Sequence, residues 1–244
     1  MKTTILLFAM LIPFLGFTQD SLKVNNPHNQ IFSLSPISKK VDKVNGLVIG
    51  VGHVENRNTT KQTINGINLE ANPAPVVGAF LAFILIPYLP IIYENIKEES
   101  NLKKQSGTDL VIQNWNYNPD LKINGLNISS GCFFTTTNMN GLNISSANKF
   151  KNFSGLTICP LGTIADNLNG LSVGLINANN NLKGISIGIY NQSHDLYGLQ
   201  IGLFNISKKN KGLQIGVVNK SSSNGFQFGI WNKNNRRSFP LINW

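Results

Sequence analysis

Residues 198–205 read GLQIGLFN, an alternation that puts Leu199, Ile201 and Leu203 on one side and Gln200, Gly202 and Phe204 on the other. Period-two spacing is that of a half-buried β-strand and does not fit a helix of about 3.6 residues per turn. The phrase recurs as GLSVGLIN (170–177), GISIGIYN (184–191), GLQIGVVN (212–219) and GFQFGIWN (225–232). Its opening glycines, Gly125, Gly141, Gly155, Gly170, Gly184, Gly198, Gly212 and Gly225, are spaced 16, 14, 15, 14, 14, 14 and 13 residues apart. Two earlier copies stand at Gly46 (GLVIGVGH) and Gly66 (GINLEANP). Between the phrases lie polar segments such as SKKNK (207–211) and KSSSN (220–224), rich in turn-forming residues. The pattern predicts an all-β repeat protein with one strand-plus-turn module per unit.

Two assemblies fit such units. In a β-solenoid each coil stacks about 4.8 Å above the last, so equivalent residues sit over one another and every position is held to one type. The Asn that closes each phrase then forms a hydrogen-bonded ladder at a corner. In an antiparallel meander, or an outer-membrane β-barrel closed from one, the aromatic position at Tyr190, Phe204 and Trp231 would alternate between top and bottom. Each strand would also offer only about three outward apolar residues, thin for an apolar band about 25 Å tall. The aromatic ending SFPLINW suits a barrel strand. The solenoid is the preferred reading and the barrel the alternative.

These Gly-Leu-Gln-Ile-Gly-Leu-x-Asn units, over residues 41–70 and 125–244, together with the closing FPLINW, resemble a bacterial family of exported surface repeat proteins. The resemblance implies export and a place at the cell surface; that family has no established activity and no catalytic residues to carry over. Residues 71–124 depart from the pattern as an insertion. The 14-residue period is also loosely similar to the head repeats of trimeric autotransporter adhesins.

Composition narrows the function classes. The 244 residues are 13% charged and include 36 asparagines, 2 cysteines and 3 histidines. Abundant apolar residues argue against intrinsic disorder, and two cysteines exclude a disulfide-dense scaffold or Cys-rich zinc module. Residues 1–18 carry Lys2, an apolar run from Ile5 to Leu15, and Gly16 and Thr18 before a cleavage point after Thr18, the layout of a secretory signal peptide. The expected location is the cell surface, outer membrane or periplasm of a Gram-negative bacterium. Residues 19–40 form a lead-in, 41–70 the first β repeats, 71–124 a hydrophobic insertion and charged linker, and 125–244 the main array. Within the insertion, VVGAFLAFILIPYLPII (76–92) reads as a cap or interaction element, with membrane contact as the alternative, and ENIKEESNLKK (94–104) follows.

Candidate chemistry is sparse. His53 and Glu55 lack further ligands at a useful spacing, and Gly46, Gly50 and Gly52 lack the third glycine and helix of a dinucleotide site. No Gly-x-Ser-x-Gly elbow occurs, and no acidic residue follows Asp195. The expectation is therefore a non-enzymatic protein without a cofactor or metal. Asn-x-Ser/Thr sequons at Asn58, Asn127, Asn143, Asn152, Asn191, Asn205 and Asn219 follow from the repeat grammar. Cys132 and Cys159 stand nearly two repeats apart, beyond the roughly 7 Å reach of a disulfide, and are expected as free, buried thiols.

Two surface features remain as binding candidates. Lys208, Lys209, Lys211, Lys220, Lys233, Arg236 and Arg237 follow Asp195 and could line one edge of a stack, attracting anionic polymers or lipid head groups. The net charge of +10 agrees in sign. Ile176, Tyr190, Phe204, Val218 and Trp231 form an outward stripe suited to a partner or to self-association. Expected partners are outer-membrane or cell-surface components, with no nucleic acid.

Overall fold

The computed structural model describes residues 29–53, 61–72, 120–131 and 136–244. The strands are β1 (Asn29–Ser35), β2 (Lys43–Gly50), β3 (Gln62–Glu70), β4 (Leu121–Ser129), β5 (Thr137–Ser145), β6 (Ala147–Ile158), β7 (Gly162–Val173), β8 (Ile176–Asn210), β9 (Leu213–Ser221), β10 (Phe226–Lys233) and β11 (Ser238–Asn243). They form one sheet in strict sequence order, and successive strands from β1 to β10 pair in parallel. Parallel neighbours in sequence order require the chain to wind completely round between strands. The fold is a β-solenoid of about ten turns, and the antiparallel meander and barrel are excluded. β8 runs for 35 residues because the chain rounds its corners without leaving the ladder.

The glycine beat sets the register. Gly46 lies beside Gly66, Gly66 beside Gly125, and Gly125 beside Gly141, so the coils on either side of the insertion are adjacent. At Gly66, Gly125 and Gly141 φ lies at +140°, +136° and +129°, backbone that L side chains rarely adopt. A Cβ there would also collide with the carbonyl oxygen of the glycine one coil back. The units at Gly66, Gly125 and Gly141 must therefore open on glycine.

Inward-facing residues form ladders of two kinds. One is apolar: Val44, Ile64, Ile123, Met139, Phe153, Leu168 and Leu182 stack in register, and Leu196 follows, all buried. The Phe150 and Phe153 rings sit 4.9 Å apart at its middle. The other is polar. Asn68, Asn127, Asn143, Thr157, Ser172 and Ser186 lead to Gln200, Gln214 and Gln227, and every one of them is buried. Gln214 Nε2 donates to Gln200 Oε1 and Gln227 Nε2 to Gln214 Oε1, each at 2.8 Å.

The closing asparagines form the expected ladder. Asn177 donates to Asn191 (3.0 Å), Asn191 to Asn205 (2.9 Å), Asn205 to Asn219 (2.8 Å) and Asn219 to Asn232 (2.7 Å). The same Nδ2 groups of Asn191 and Asn205 reach the Ile201 and Ile215 carbonyls at 2.9 Å, tying each coil to the next. A buried amide satisfied above and below carries no unpaired penalty, so these ladders let the interior be polar. The sequons at Asn127, Asn143, Asn191, Asn205 and Asn219 are buried in these ladders.

Two boundaries differ from the repeat pattern. β1 pairs in parallel with β2, so the stack includes Asn29–Ser35, inside the lead-in. β11 reverses and pairs antiparallel with β10, carrying Pro240 and a positive φ of 66° at Leu241. The signal peptide, residues 76–92, residues 94–104, Glu55, Asn58 and Cys132 lie outside the described residues. Among the described residues, no helix is long and apolar enough to cross a membrane. Cys159 is a free, buried thiol whose Sγ lies 3.1–3.2 Å from Asn143, Ser145 and Thr157.

Candidate binding surface: an outward apolar face

The strict alternation read from the sequence stops at Gly202. Leu199 and Ile201 point away from the axis and Gln200 points in, but the chain bends at Gly202, so Leu203 and Phe204 are both exposed, at 47% and 45%. Asn205 then returns inward and is fully buried. The break in alternation adds Phe204 to the outward residues Leu199, Ile201 and Leu203.

Repetition turns these residues into rows. Val173 aligns with Ile187, and Ile201 with Ile215 and Phe228. Leu175, Ile189, Leu203, Val217 and Ile230 form a second row, with Ile230 as much as 68% exposed. Between the rows runs a floor of Gly174, Gly188, Gly202, Gly216 and Gly229, giving an open groove of about 1070 Å³ from Pro160 to Leu241. At Gly188, Gly202, Gly216 and Gly229 a Cβ would collide with the glycine carbonyl one coil back and crowd an Asn Nδ2. These glycines thus make room for the asparagine amides inside, and outside they leave bare backbone as the floor of the groove. Every residue lining it is apolar or glycine.

The predicted stripe lies beside this groove. Phe204, Val218 and Trp231 are in register, with Ile176 and Tyr190 on the preceding coils. Ile176, Phe204 and Trp231 are exposed, while Tyr190 and Val218 are half-buried. Tyr190 Oη also donates to Gln192 Oε1 at 3.1 Å.

The basic residues do not gather on a single edge. Lys220 and Lys233 stack in register with Ile206, on the rim next to the aromatic stripe. Lys183 and Lys211 directly precede Gly184 and Gly212, on the opposite rim of the apolar face. Lys211 Nζ lies 4.9 Å over the Tyr197 ring and 3.2 Å from its hydroxyl. Lys209 pairs with Asp195 at 3.8 Å. Although no acidic residue follows Asp195 in the sequence, the winding of the chain brings Asp195 itself to Lys209 one coil on. Arg237 stacks 4.0 Å over Trp244 and donates to Asn243 (2.9 Å), which fixes the last hairpin. Arg236 is exposed in the same hairpin, and Lys208 is half-buried on the coil between.

One polar cluster was not visible in the sequence. Ser35, His53 and Glu70 meet in the interior of the first coils, all buried. Ser35 Oγ donates to Glu70 Oε1 at 3.2 Å and lies 3.4 Å from His53 Nδ1, which itself contacts Glu70 Oε1. In nucleophilic catalysis the serine and the acid address opposite nitrogens of the imidazole. Here both meet Nδ1, and the cluster joins three coils. Among the described residues, no three His, Cys, Asp or Glu side chains gather as a metal site.

No family model, no curated protein and no solved structure matches the chain. The functional reading therefore rests on the face itself.

Proposed function

We propose that this chain is an exported, non-enzymatic surface repeat protein that serves as a scaffold or binding surface. One observation carries the reading: in the coils beyond Leu196 amides fill the interior while Leu203, Val217 and Ile230 are turned outward. Coils that needed these side chains for packing would bury them. Here Gln214 is fully buried and Ile230 is 68% exposed, and exposed apolar area of this extent is characteristic of interaction sites. The signal-like residues 1–18 and the resemblance of the repeats to exported surface proteins support the location. The partners are outer-membrane or cell-surface components, met through the groove and the stripe of Ile176, Tyr190, Phe204, Val218 and Trp231.

N-terminal sequencing of the protein from fractionated cells, combined with protease shaving of intact cells, tests this reading. The expected result is a chain starting near Gln19, absent from the cytosol and cleaved from outside. A chain that retains Met1 in the cytosol would overturn it.

A further inference from the structure

We propose that the occupant of the apolar face is an anionic lipid surface, on which the solenoid lies lengthwise. This rests on the reading of the face as a binding surface. Three features select the occupant.

The first is charge. The apolar rows are bordered by lysines on both rims, Lys183 and Lys211 on one and Lys220 and Lys233 on the other, and no acidic residue follows Asp195. An apolar strip flanked by cations is the arrangement by which interfacial elements seat apolar side chains below anionic head groups. A second copy docked on the same face would bring basic rim against basic rim in either orientation, with a chain charge of +10 working against it. The second is shape. The groove is open along its length and lined without a polar side chain, so nothing in it orients a polar ligand. The third is the edge chemistry. Tyr197 with its stacked Lys211, and the half-exposed Trp231, stand at the margins of the face, where amphipathic rings and long cationic stems reach from hydrocarbon to water.

Vesicle sedimentation of the full chain tests the assignment with three proteins. These are the native chain, the face variant Ile189→Gln/Leu203→Gln/Ile230→Gln, and the rim variant Lys220→Gln/Lys233→Gln. All five positions are exposed, so far-UV circular dichroism and urea midpoints should agree and mark all three as folded. Binding through residues 1–28 or 76–92 is common to the three and cancels. On phosphatidylglycerol vesicles the face variant should lose at least about ten-fold in binding. The rim variant should lose about five-fold per lysine, about thirty-fold in all, and high salt should abolish the difference. Equal binding by the native chain and the face variant, or no binding by either, overturns the lipid assignment. If the native chain then proves dimeric by ultracentrifugation and the face variant monomeric, the lipid assignment alone fails and the binding-surface reading stands. If native and face variants agree in both assays, both readings fail.

Discussion

The first coils and the last coils solve one packing problem with opposite chemistry. From Ile37 to Leu196 the buried apolar residues form a continuous cluster, with Phe150 and Phe153 at its centre. Beyond Leu196 no member of that cluster remains, and the inward positions pass to Gln200, Gln214, Gln227 and the asparagines. Outside, exposed apolar side chains run along the whole stack, from Ile49, Ile67 and Ile128 to Ile187, and a further exposed row runs from Leu161 to Ile230. A repeat protein can therefore hold its coils together by axial hydrogen bonds as well as by hydrocarbon, and in the last coils the outward rows persist without an apolar core beneath them. Each ladder bond contributes only about 0.5–1.5 kcal/mol net, but every coil repeats it several times and each bond supports the next.

The comparison can be broken at the position both halves share. Gly198→Ala places a methyl group against the Gly184 carbonyl at a φ of +155°. It should cost more than about 4 kcal/mol, and the urea midpoint should collapse; a shift under about 1 kcal/mol would contradict the close approach. In the apolar half, Phe153→Ala removes a buried ring and should destabilise by about 3–5 kcal/mol in the same assay. In the amide half, Asn205→Ala strands Asn191, Asn219 and the Ile215 carbonyl. A loss of about 2–3 kcal/mol follows, with amide exchange accelerating on the flanking coils first. The smallest change is Leu203→Gln, on the outside: a thermal melt should move by the equivalent of about 0.5 kcal/mol or less. An asparagine that matters more than its neighbouring leucine reverses the usual order, and equal costs at Asn205 and Leu203 would refute the inside-out assignment.

The repeat made the stack legible because parallel coils bring the same residue to the same place. Gly184, Gly198 and Gly212 fixed the period, and the asparagine ladder followed from Asn177, Asn191 and Asn205 recurring one coil apart. The direction of each face was harder to read. Alternation at Leu199, Gln200 and Ile201 defines two sides without saying which is inside, and the bend at Gly202 breaks the period that Leu203 and Phe204 would have kept. β1 escaped notice since QIFSLS lacks the glycine beat, yet it pairs along β2. The Lys209–Asp195 pair and the Ser35–His53–Glu70 cluster join residues from different coils, which no local pattern announces. The groove emerged only when Gly188 and Gly202 were stacked, since its floor is an absence of side chains.

The reversed strand at the C-terminus bears on how such a molecule changes length over generations. Each strand makes extensive contact only with the strand before it and the strand after it, and β11, turned against the run of the others, leaves its outer edge with Pro240 and an irregular Leu241. A duplicated gene segment encoding one unit would slip between existing coils and extend the rod by about 4.8 Å, leaving both ends and every interior contact type as they were. Unit number is therefore a trait that unequal recombination can adjust in single steps, and the terminal hairpin keeps the enlarged rod from growing by joining another.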